Sequence, residues 1–143
     1  YLADRYGARD TRWYLWIVSV ALIASMPLFF GVYLSSTAFA SLMFLILPIL
    51  LGNFYQATTF SQTQGLVSLR MRSVAAAVLL FILNMIGLGA GPQAVGILSD
   101  VLQPSYGDES LRYALLILST VQIWAAYHYY QAGKSLKDDL VTD

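Results

Sequence analysis

The sequence predicts an all-α membrane protein. Three observations carry that prediction: long runs without charge, a shortage of polar residues at helical spacing, and a one-sided distribution of Lys and Arg. No Asp, Glu, Lys or Arg occurs over the 57 residues from Trp13 to Leu69, the 27 from Ser73 to Ser99, or the 21 from Tyr113 to Gly133. A helix crosses a bilayer with about 20 apolar residues. Charged residues make up 11% of the chain, against about 25% in a soluble domain. A helix packed in water also keeps a polar stripe. Leu15 to Phe30 offers only serines for that stripe, and Val74 to Gly91 has Asn84 as its one strongly polar side chain.

Each element follows from these runs. The first run is long enough for two helices, and GVYLSST (Gly31 to Thr37) supplies the break. The expected spans are 14–34, 38–60, 73–98 and 113–131. They lie in a transmembrane region 14–133, between a loop 1–13 and a tail 134–143. Backbone N–H and C=O groups in lipid must be paired within the segment, so the spans are helices.

Positive charge marks the cytoplasmic side. Arg5, Arg9, Arg12, Arg70, Arg72, Lys134 and Lys137 fall on one side if four helices thread alternately, and Arg112 alone falls on the other. Both ends of the chain are therefore expected in the cytoplasm. Trp13, Tyr14 and Trp16, and Tyr127, Tyr129 and Tyr130, suit interfacial aromatic belts.

Composition removes several function classes. Net charge is zero, so no nucleic-acid partner is expected. Without cysteine there is no disulfide or thiolate chemistry, and one histidine does not make a metal site. No H-E-x-x-H and no acidic pair lies within a span, so the chain is not read as an enzyme, and no cofactor is expected. Gly89, Gly91 and Ala94 fit a dinucleotide fingerprint, but that motif needs a strand before it. The lone His128, near the end of the last span, reads as an interfacial residue rather than a proton relay.

Two stretches echo each other. YLAD, Gly7 and DTRWYLWI are matched by ILSD, Gly107 and ESLRYALLI. On the threading above the copies lie on opposite sides of the membrane, an inverted repeat of the kind found in secondary transporters.

The opening YLADRYGARD resembles the loop motif G-x-L-A-D-R-x-G-x-R of the major facilitator superfamily. Leu2, Ala3, Asp4, Arg5, Gly7 and Arg9 match it. NMIGLGAGPQAVGILSD (Asn84 to Asp100) is similar to helix 11 of bacterial spinster-like members. The resemblance implies helices 9 to 12 of a twelve-helix fold, part of its C-terminal six-helix half. The N-terminal half and helices 7 and 8 would be partners in the same polypeptide, in a bacterial inner membrane. It implies alternating-access transport of a small solute, amphiphilic in the spinster-like subgroup. The competing reading is a small four-helix scaffold or interaction protein that transports nothing.

The resemblance also implies that Asp4, with Arg5, Gly7 and Arg9, helps to close an inner gate. The plainer reading is a solvated loop, with the arginines as topology signals. Gly52, Asn53, Gln56 and Thr59 are expected on one face of the second span. Asn53, Gln56 and Asn84 are candidates to line a solute cavity, with Tyr55 and Phe54 on its apolar side, or else to serve as interhelical glue. Gly87 and Gly91, four apart, suit close helix contact, and Pro27, Pro48 and Pro92 suit helix bending.

Overall fold

A computed structural model describes residues 10–140, apart from the Phe54 side chain. All regular structure among them is helical. Three stretches are long and apolar enough to cross a membrane: Trp13–Leu34, Ala38–Gly65, and a continuous run Leu69–Asp139 of 71 residues. The last folds back on itself.

Helix α1 (Trp13–Leu34) opens on Asp10, whose Oδ1 accepts the Arg12 N–H at 3.0 Å, and ends where Ser35 turns extended. Thr37 caps α2 (Ala38–Gly65), accepting the Ala40 N–H at 3.3 Å. Ser41 Oγ donates back across the turn to Val32 O at 2.9 Å. Gly31 allows this tight return, because a Cβ there would stand 2.7 Å from the Phe44 ring. A 3-10 turn, Leu69–Met71, then leads into α3 (Arg72–Asn84).

Next comes a π-helical segment, Met85–Ala90, and then α4 (Gly91–Tyr106). The Gly91 N–H bonds Ile86 O, five residues back. Pro92 gives the cause. It has no N–H, and in an α-helix its ring clashes with the carbonyl four residues earlier, at a cost of about 3 kcal/mol. A wider turn moves that carbonyl aside.

The chain reverses at Gly107, whose φ of +53° suits glycine. A 3-10 turn, Gly107–Glu109, then leads into α5 (Ser110–Ser119). The two arms stay together: Ser99 and Ser110 hydroxyls lie 3.1 Å apart, and the Tyr106 and Tyr113 rings 4.3 Å. At the start of α5, Arg112 pairs with Glu109 at 2.6 Å; this exposed pair is worth about 0–1 kcal/mol. Thr120 separates α5 from α6 (Val121–Asp139). There Ser119 and Thr120 hydroxyls turn back onto the Leu116 and Ile117 carbonyls, both at 2.6 Å. Such back-bonding bends helices.

Helix α1 is central, packing against α2 on one side and against α5 and α6 on the other. The buried apolar residues Leu15, Val18, Ala114, Ala126 and Leu136 belong to α1, α5 and α6, and Pro48 of α2 is buried too. Antiparallel α1 and α6 share three hydrogen bonds: Trp16 Nε1 to Tyr130 O (3.2 Å), Ser19 Oγ to Ala126 O (2.7 Å) and Ser25 Oγ to Gln122 Oε1 (2.9 Å). Neither α3 nor α4 buries a residue. Large apolar side chains such as Phe39, Phe81, Leu88 and Trp124 are exposed, as hydrocarbon surroundings allow.

Candidate functional site

The inward face of α2 is set by its neighbours. Pro48, Leu51, Gly52 and Tyr55 line a cavity of about 240 Å³ against α1 and α6. These positions recur at helical spacing, so they share one face. One turn further on, Thr59, Gln62, Thr63 and Leu66 line a second cavity of about 390 Å³ toward α6.

Each cavity carries a polar pair. In the first, Ser25 is 4% exposed, and its Oγ lies 2.8 Å from Leu22 O and 2.9 Å from Gln122 Oε1. A hydroxyl has one proton, so the two acceptors share it. In the second, Thr59 Oγ1 donates to Tyr55 O at 2.5 Å and lies 2.6 Å from the Tyr129 hydroxyl. With its proton on Tyr55 O, Thr59 can only accept, and Tyr129 is then the donor. His128, Ser135 and Asp139 stand around the same cavity. The His128 ring meets Trp124 edge-on at 4.6 Å.

The sequence candidates separate. Tyr55 faces the first cavity with Gly52, whereas Asn53 and Gln56 are exposed and line neither cavity. Asn84 is exposed at the end of α3. Asn53 Nδ2 donates to Ile49 O at 2.9 Å, and Asn84 Nδ2 to Leu80 O at 2.8 Å. Both amides thus satisfy one donor within their own helix and leave the side-chain oxygen free to accept. Neither bonds another helix among the described residues.

Asp4, Arg5, Gly7 and Arg9 lie outside the described residues, as does the Phe54 side chain. Pro48 is buried within α2, and Pro27 is exposed within α1. Gly87, Gly91 and Pro92 border an open groove shared with Leu111, Leu118 and Val121. A Cβ on Gly87 would meet nothing within 4 Å.

Gln122 and Ser25 escaped the reading of the sequence. Gln122 was legible as an amide inside a charge-free run, but its partner depends on how α1 and α6 align. Among the described residues no group of three or more His, Cys, Asp and Glu side chains gathers to hold a metal ion.

The sequence is 33% identical to an MFS-type efflux pump of Mycolicibacterium smegmatis (strain ATCC 700084 / mc(2)155), over 143 positions that cover 99% of this chain. The aligned part is 33% of that protein, so the chain spans about a third of the length of the curated relative that it matches. No family model matches the chain, and no solved structure matches it. The apolar helices and this similarity support an integral membrane protein.

Proposed function

We propose that the chain is part of a secondary active transporter of the major facilitator type, moving a small amphiphilic solute by alternating access. The similarity to an MFS-type efflux pump along nearly the whole chain carries this reading. The match to the YLADRYGARD loop motif supports it independently. On this reading α1, α2, α3 with α4, and α5 with α6 are four crossings, equivalent to helices 9 to 12. Both ends of the chain face the cytoplasm of a bacterial inner membrane. The remaining helices of the same polypeptide complete the fold. The subgroup proposed is the spinster-like one.

The exposed polar positions then gain a task. Asn53, Gln56 and Asn84 each carry a hydrogen-bonding group that is costly against lipid. Protein or water in a central path would relieve that cost, and a polar group of the solute would bind there. Asp4 would act at the cytoplasmic gate, where a carboxylate near a helix N-terminus gains about 0.3–1 kcal/mol.

The test is dye efflux from cells that express the complete protein. Cells loaded with a fluorescent amphiphilic dye should lose it faster than cells without the protein. The gain should saturate with dye concentration, vanish when the ion gradients are collapsed, and fall with Asp4→Asn. Equal dye loss with and without the protein, across dyes of cationic, neutral and anionic charge, would count against an amphiphile exporter.

A further inference from the structure

We propose that the π-helical segment Met85–Ala90 is a register switch. It closes to α-helical form and reopens, turning α3 about its own axis against α4.

Three observations converge on this segment. The first is the bond from the Gly91 N–H to Ile86 O, which makes the wide turn a hydrogen-bonded state of its own. Pro92 sets it against the alternative, since in α-helical register the Pro92 ring would press on the Leu88 carbonyl. The π turn relieves that clash but has the looser hydrogen-bond geometry, and π turns of this kind gather at functional sites. A switch needs two backbone states that differ by only a few kcal/mol.

The second observation concerns the glycines. A Cβ on Gly87 meets nothing within 4 Å, one on Gly89 only Asn84 O at 4.0 Å, and one on Gly91 only Ile86 O at 3.4 Å. Among the described residues, packing does not require glycine at any of the three. Their remaining effect is on the backbone, which gains less from staying α-helical than it would with alanine.

Third, the two arms are held unequally. Helix α4 is fastened to α5 through Ser99 with Ser110 and Tyr106 with Tyr113. Among the described residues no side-chain hydrogen bond or ring contact ties α3 to another helix; the Asn84 amide bonds Leu80 O within α3 itself. A change of register therefore falls on α3. One residue of register is about 100° of rotation at 3.6 residues per turn. Asn84, the last residue of α3, turns with it. That this moves a solute contact rests on the function proposed above; the rotation itself does not, and its test reads geometry alone.

Spin labels go at Val78 on α3 and Leu111 on α5, which are 52% and 51% exposed. The complete protein is used, with other cysteines removed, in lipid nanodiscs. Both labels sit on elements of this chain, so rigid rocking of the whole chain leaves their distance alone. Pulsed electron paramagnetic resonance should show two distance populations. Pro92→Ala, which restores the N–H and removes the ring, should leave one, moving the ratio by more than about tenfold. Gly89→Ala should shift the ratio about threefold. Gly96→Ala, with open space around it but outside the turn, should not shift it. A single distance in the unmodified protein overturns the switch, and so do two populations unmoved by Pro92→Ala. If Pro92→Ala does not fold, two populations unmoved by Gly89→Ala overturn it equally.

Discussion

Gly133 lies where α6 packs tightly on α1, and replacing it with alanine gives a sharp test of that packing. A Cβ at Gly133 would stand 2.6 Å from both Cδ1 and Nε1 of Trp16, and 3.3 Å from Arg12 O. The indole cannot swing aside freely. Its Nε1 donates to Tyr130 O at 3.2 Å, its ring stacks on Tyr130 at 5.6 Å, and Trp13 meets its edge at 5.8 Å. Displacing it forfeits a hydrogen bond worth about 0.5–1.5 kcal/mol net. It also forfeits a stack worth about 0.5–1.5 kcal/mol. The sum, about 1–3 kcal/mol, agrees with the usual cost of overpacking. Alanine returns about 1 kcal/mol of helix propensity, so the net loss is about 0–2 kcal/mol. Gly96→Ala is the control, because nothing lies within 4 Å of a Cβ there. It keeps the propensity gain without the clash. Reversible unfolding of the complete protein in detergent, followed by tryptophan fluorescence, should separate the two variants by about 1–3 kcal/mol. If Gly133→Ala is as stable as Gly96→Ala, the close contact of Gly133 with Trp16 does not exist.

Other outcomes follow from the same packing. A double-mutant cycle on Ser25→Ala and Gln122→Ala should return a coupling of about 0.6 kcal/mol, the usual size for a hydrogen bond between membrane helices, and zero coupling would place the two side chains apart. Asn53→Ala, Gln56→Ala and Asn84→Ala should each change stability by less than about 0.5 kcal/mol, as exposed substitutions do, while weakening apparent solute affinity in the efflux assay; lost stability with unchanged affinity would make these residues structural. Cysteines at Ser36 and Ser105 should react with an impermeant thiol reagent from outside the cell and one at Ser68 should not, and the reverse pattern would invert the threading.

Helical class and apolar character were legible because they depend on composition along the chain. A charge-free run cannot bury its backbone in lipid except as helix. What faces what was not legible to the same degree. Helical spacing groups positions only when the centre of the face is known, and that centre is set by neighbours. On α2 it passes through Pro48, Gly52, Tyr55 and Thr59, and Asn53 and Gln56 are exposed and line neither cavity. The Ser25–Gln122 pair joins residues 97 positions apart. It required the antiparallel alignment of α1 and α6, which no local pattern specifies. The π turn is intermediate: Pro92 and the glycines announced a break in the helix, but not that an i to i+5 bond would form there.

Alternating access needs a watery path reached from each side of the membrane in turn, and Asn84 is where to look for it. A single cysteine replaces Asn84 in the complete protein, and an impermeant thiol reagent is added from one side, using either right-side-out or inside-out vesicles. Reaction from both sides is expected, with solute shifting the balance between them. Labelling by a lipid-soluble reagent alone, with none by the impermeant reagent from either side, would place Asn84 against lipid and contradict such a path.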